Sequence, residues 1–200
     1  MKRIPGILSF AMLASLINVS ISTAQEQKTL TFSPESKITV DGTSNRDNWT
    51  VIAPEFEGSV TIVQNSGDSP EFLEAQLAVK TQDMTGGRGS IMDRLMLNAL
   101  KANQHPDIIF TLTDVESVPD DENPQVFQVK STGELTIAGV TQTIEVELQG
   151  QQLEDGSYRF QGSRSLLMRD YDIEPPTAMF GALVTGNEVV INLEILTDDG

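Results

Sequence analysis

Strict alternation constrains this chain more than any other feature. Apolar side chains recur at every second position in Leu30-Thr31-Phe32, Ile38-Thr39-Val40, Val60-Thr61-Ile62, Leu73 through Val79 and Ile108 through Leu112. The same period runs through Leu135-Thr136-Ile137, Ile144 through Leu148, Tyr158-Arg159-Phe160 and Ile191 through Ile195. Successive side chains of a strand point to opposite faces, so this period buries one face and wets the other, as in antiparallel sheets. Turn-forming clusters punctuate the runs: Asp41-Gly42, Asn65-Ser66-Gly67-Asp68, Asp120 through Pro124, Glu154-Asp155-Gly156-Ser157 and Gly186-Asn187. Many short strands spaced this way predict a mainly β sandwich or barrel. No internal repeat and no long linker divides it.

One segment changes period. Ile91, Met92, Leu95, Met96, Ala99 and Leu100 fall at helical spacing and give a single apolar stripe. Ser90 is the expected N-cap, with Asp93 three residues on as its capping-box partner. His105-Pro106 prevents continuation. The spacing predicts an amphipathic helix near Ser90 to Asn103, about 13 residues or roughly 20 Å, that plugs or flanks the sheet.

The N-terminus reads separately. Lys2 and Arg3 precede an apolar stretch from Ile7 to Val19, and Ser22-Thr23-Ala24 supplies small residues before Gln25. A positive start, a short apolar middle and a small-x-small end form a secretory signal peptide. A spanning helix needs about 20 apolar residues, more than this stretch offers. Residues 1–24 are therefore expected to be removed, leaving residues 25–200 as one exported domain, periplasmic or alternatively secreted.

Charge then narrows the function. The chain carries 13 Lys+Arg against 29 Asp+Glu, a formal net charge of −16. Nucleic-acid binding draws on cationic side chains that release counterions, and anionic membrane surfaces hold polybasic stretches. Neither nucleic acid nor stable membrane insertion is expected. With no Cys and one His, disulfides, thiolate nucleophiles and most metal sites are excluded.

Catalytic patterns are correspondingly weak. There is no Gly-x-Ser-x-Gly elbow and no Gly-x-x-x-x-Gly-Lys loop; Gly86-Gly87-Arg88-Gly89 reads as a flexible lead-in to the helix. His105 sits where a turn residue would. The run from Asp41 to Asp47 lacks the central Gly and closing Glu of a calcium loop. No catalytic set, metal site or resident cofactor is expected. What remains is apolar: Met92, Met96, Met168 and Met179 suit either an adaptable pocket or a plain core.

Three motifs then carry a family resemblance. Gly133-Glu134-Leu135-Thr136-Ile137-Ala138-Gly139-Val140-Thr141 closely resembles the Gly-x-Leu-Thr-Ile-x-Gly-Val-Thr signature of the YceI-like family of exported lipid-binding proteins. A tight hairpin is expected at Gly139-Val140-Thr141, with positive φ at Gly139. His105-Pro106-Asp107-Ile108-Ile109-Phe110 is similar to the family's Tyr-Pro-x-Ile-x-Phe. Arg169-Asp170-Tyr171-Asp172-Ile173 resembles its Arg-x-Asp-Phe-x-Ile in variant form. The resemblance spans about Phe32 to Leu196. The chain departs from the family where Asp47 stands in a region that often carries a His, and its helix is short.

The resemblance implies a lipocalin-like antiparallel barrel of about eight strands that holds a polyisoprenoid or quinone. Its ligand would be an apolar lipid enclosed by the inward phase of the strands, Phe110, Leu112, Leu135, Ile137, Ile144, Val146 and Phe160. The helix stripe of Leu95, Met96 and Leu100 would cover one side. Met168, Tyr171, Met179 and Phe180 would border the mouth. Arg169 is the candidate for a polar head group, unless it pairs with a carboxylate. The alternatives are a structural module with a filled core and, less favoured, an enzyme acting on an apolar substrate. A homodimer stays open.

Overall fold

The computed structural model describes residues 27–63 and 70–199. The expected leader and the turn expected at Asn65–Asp68 lie outside them. The strands are β1 (Gln27–Phe32), β2 (Lys37–Ser44), β3 (Asn48–Ile52), β4 (Phe56–Val63), β5 (Glu71–Lys80), β6 (Asp107–Pro119), β7 (Val126–Ile137), β8 (Val140–Gln152), β9 (Tyr158–Leu167), β10 (Thr177–Ala178) and β11 (Leu183–Asp199). Helix α1 (Ser90–Ala99) lies between β5 and β6.

Of the two architectures that alternation allows, the chain adopts the barrel. Eight strands close in the order β1-β4-β5-β6-β7-β8-β9-β11, and β1 seals the ring against the end of β11, from Leu30 opposite Asp199 to Phe32 opposite Thr197. All pairings are antiparallel. β2 and β3 extend the lanes of β1 and β4 as one long hairpin, with β2 beside β11. At the kink between β1 and β2 the Ser36 hydroxyl both donates to the Leu196 carbonyl and accepts from the Leu196 N–H, replacing the missing ladder bonds.

Alternation fixes the faces. Along β7, Phe127, Val129, Ser131, Leu135 and Ile137 are buried while Gln128, Lys130 and Glu134 are exposed. Because the meander runs up and down, alternate connections meet at the same end. One end gathers the β6–β7 and β8–β9 loops and is plugged by Phe72, Phe127, Tyr158 and Phe160, with ring centroids 5.8–6.3 Å apart. Mostly tilted and edge-on rings at such distances pack favourably. The other end gathers the β2–β3 turn, α1, the β7–β8 turn and the connection from β9 to β11.

Several local expectations need correction. Asp41-Gly42 does not break the chain but lies within β2. Gly42 is required there by packing: a β-carbon would sit 2.1 Å from Cζ2 of Trp49, whose indole crosses the strand. Gly186-Asn187 is a bulge inside β11, with the register shifting between Thr185 and Val189. Leu73 is exposed and Phe72 is buried, since a bulge in β5 reverses the phase before Ala75. The β7–β8 turn is Ala138-Gly139, with Ile137 paired to Val140, so Val140 and Thr141 already belong to β8. Both turn residues have positive φ, 51° and 85°, as a two-residue hairpin of this hand requires. Gly139 meets that expectation.

Helix α1 is also shorter than expected, ten residues ending at Ala99. Its N-cap is Gly89 and not Ser90, with no side-chain cap. Asp93 reaches back beyond the helix and accepts from the Gly86 N–H at 2.9 Å and the Thr85 hydroxyl at 3.0 Å. It ties the lead-in loop to the first turn, so the capping-box pattern marks the right place for a different bond.

Candidate functional site

The barrel is not filled. A cavity of about 310 Å³ lies beneath α1 at the open end, and a second of about 150 Å³ lies deeper between the strands. Ile191 of β11 lines both. The larger is of a size that binds small molecules.

The helix roofs the upper cavity with the face that carries Met92, Leu95, Met96, Ala99 and Leu100. Ile137, Leu166, Met168 and Tyr171 form the opposite wall. Ile91, assigned to the same apolar stripe by its spacing, is 69% exposed and lies outside this wall. Phe110, Leu112, Leu135, Ile144, Val146 and Phe160 line the deeper cavity. Twelve of the fifteen expected residues therefore meet around the two spaces, and three do not.

Arg169 is one of the three. Its guanidinium bonds Glu174 at 2.9 Å on the surface, holding that carboxyl below its usual range and raising its own pKa. The ion-pair reading of Arg169 is the one realised. Met179 is 65% exposed and Phe180 fully exposed, so neither lines a cavity.

Local structure explains the positions of the rest. β8 and β9 pair only from Leu148 opposite Gly162 to Gln152 opposite Tyr158. Above that point no pairing joins them, and the 3-10 turn Met168–Tyr171 packs against β8, with Gln142 donating to the Asp170 carbonyl at 2.9 Å. Tyr171 and Ile173 join Leu135, Ile137, Ile144 and Val146 in one apolar cluster. Burial pushes the Tyr171 phenol pKa up, the Asp170 charge adds to this, and Arg164 opposes it. The hydroxyl has no hydrogen-bond partner among the described residues. His105, read as a turn residue, lies with its ring against Gly139, where a β-carbon would be 2.5 Å from Cε1.

Sequence reasoning missed part of each wall. Trp49, Val40, Val51, Met84, Leu183 and Val189 line the upper cavity, and Phe32, Val60, Phe72 and Leu77 the lower. Period-two runs marked Val40, Phe32, Val60 and Leu77 as inward-facing, but no signal separated cavity wall from packed core. Trp49 and Met84 lie outside any such run. The charged groups of the upper cavity are Arg46, Asp47, Arg88 and Asp93, and Gln76, Ser131 and Arg164 are the polar residues of the lower one; Arg88 lies 3.6 Å from Asp47 and donates to the Asn48 carbonyl at 2.6 Å.

Such an interior can enclose an elongated apolar molecule and offers it almost no polar contact. Among the described residues no three His, Asp or Glu side chains are grouped to hold a metal ion, and no helix is long and apolar enough to cross a membrane.

Comparison with known proteins agrees with the architecture. The model of the YceI-like domain matches residues 22–196. No curated protein matches the sequence significantly. Among solved structures, a polyisoprenoid-binding domain from Saccharophagus degradans implicated in plant cell wall breakdown is similar at TM-score 0.67 and 15% identity, covering 88% of this chain and 100% of that one. BcnA of Burkholderia cenocepacia gives 0.66 and 16%, over 84% and 99%. A YceI protein of Campylobacter jejuni gives 0.56 and 19%, over 75% and 85%.

Proposed function

The chain belongs to the YceI-like family, and from that premise we propose that it is an exported, non-enzymatic carrier holding one isoprenoid-type chain, a polyisoprenoid or quinone, inside the barrel. The observation that carries this reading is the pair of apolar cavities stacked along the barrel and met at Ile191. The name of the Saccharophagus domain supports the same ligand class.

The energetics favour a long chain over a short one. Each buried methylene contributes about 0.8 kcal/mol, so ten contribute about 8 kcal/mol before association costs of about 4–15 kcal/mol. The upper cavity alone would hold a short ligand weakly; a chain threaded past Ile191 would reach both spaces. Selection would then act through length and shape. Cleavage after Ala24 and release to the periplasm complete the proposal, and N-terminal sequencing of exported protein would start at Gln25.

Native mass spectrometry tests the carrier. The purified protein is expected to carry, or to take up, one isoprenoid per chain. Ile137→Trp in the upper cavity and Val146→Trp in the lower are expected to abolish uptake while the barrel still folds. A filled-core module behaves oppositely: the same substitutions overpack it at about 1–3 kcal/mol, and the protein is lipid-free throughout.

A further inference from the structure

Met179, Phe180 and Gly181 form three consecutive left-handed residues, with φ of 54°, 55° and 87°. Non-glycine residues rarely hold this backbone, and an observed departure of this kind points towards function. Here it holds Phe180 wholly in solvent and Met179 two-thirds so, at the open end of the barrel. The flanking Pro176 and Leu183 line the upper cavity, so the exposed tip is continuous with the cavity mouth. The rim is tied together beside it: Asn45 of the β2–β3 turn bonds the Ala182 carbonyl and the Val184 N–H, and Asp47 of that turn pairs with Arg88. Exposed Ile91 follows directly in the first turn of α1.

We propose that this rim is a reversible docking surface for a lipid bilayer with zwitterionic headgroups, through which the cavity is loaded. Met179, Phe180 and Ile91 would enter the headgroup–acyl boundary, where aromatic and aliphatic side chains partition. Arg46 lines the mouth, and Arg94 lies three residues after Ile91 on the outer helical face; neither guanidinium has an ion pair among the described residues. Both are placed to meet lipid phosphates. The net charge of −16 repels an anionic surface, which selects the zwitterionic one. Docking by a few side chains stays transient, since stable anchoring needs stronger signals.

The inference rests on the carrier reading, and flotation separates the two. Protein is mixed with phosphatidylcholine vesicles, with and without phosphatidylglycerol, and isoprenoid uptake is measured in parallel from solvent-delivered ligand without vesicles. Wild type should float with phosphatidylcholine and less as phosphatidylglycerol increases. The double variant Met179→Ser/Phe180→Ser should lose on the order of tenfold or more of its vesicle partitioning, with unchanged melting and solvent-delivered uptake. Wild type that fails to float, or a variant that floats equally, overturns the docking surface while leaving the carrier intact. A variant that only converts a dimer to a monomer overturns it in favour of self-association. Loss of solvent-delivered uptake in wild type defeats the carrier itself.

Discussion

Replacing Gly139 with Ala perturbs one atom and probes the turn and the helix-to-strand corner together. Gly139 has φ of 85°, and a left-handed non-glycine residue costs about 1–2 kcal/mol. The added β-carbon would also lie 2.5 Å from His105 Cε1 and 2.7 Å from Nε2. The half-buried ring must shift, at about 1–2 kcal/mol for modest overpacking. The total is about 2–4 kcal/mol, or roughly 5–15 °C in melting midpoint for a domain of this size. Denaturant unfolding of Gly139→Ala in wild type and in His105→Ala separates the two parts. With the ring gone only backbone strain remains, so the cost should fall to about 1–2 kcal/mol. Equal costs in both backgrounds would refute the His105 contact, and an unchanged midpoint would refute the left-handed turn. Gly139→Val should be worse than Ala in both.

Other perturbations read the interior. Tyr171→Phe removes a buried hydroxyl without a partner and should be neutral or stabilising by about 1 kcal/mol; a loss of that size would reveal a hidden bond. Ile191→Ala should join the two cavities and shift the preferred isoprenoid towards longer chains in competition mass spectrometry, and an unchanged preference would mean that Ile191 does not divide them. The Arg169–Glu174 pair is formed above the ordinary carboxylate pKa and is lost as pH falls through the lowered Glu174 value. Because the pair is exposed, Arg169→Ala should leave both melting midpoint and ligand affinity unchanged; weakened binding would restore Arg169 as a head-group contact.

Period two made the strands and their inward phase readable, because a pleated backbone leaves each side chain only two directions. Phe110, Leu135, Ile144 and Phe160 could be placed this way without any coordinates. Bulges were not legible: the reversal at Leu73 and the irregularity at Gly186-Asn187 depend on the partner strand, not on local residue choice. Gly42 looked like a turn residue because glycine has two uses, and the indole that needs its empty face comes from the next strand. Met179 and Phe180 do lie at the mouth, but a left-handed backbone turns their side chains out to solvent and away from a ligand, which hydrophobicity does not reveal. Cavity wall and solid core share one composition, so Trp49 carried no local mark of its position.

That same residue supplies the most direct measurement. Trp49 is the single tryptophan, and it lines the upper cavity with its indole N–H bonded to the Thr43 carbonyl at 3.0 Å. Titration of the purified, delipidated protein with an isoprenoid quinone should give a saturable change in Trp49 emission at one ligand per chain. Ala99→Phe, which fills the roof of the cavity from α1, should suppress that change while the melting transition stays cooperative. A linear, non-saturating response, or the same saturable response in Ala99→Phe, would contradict an isoprenoid held inside the barrel.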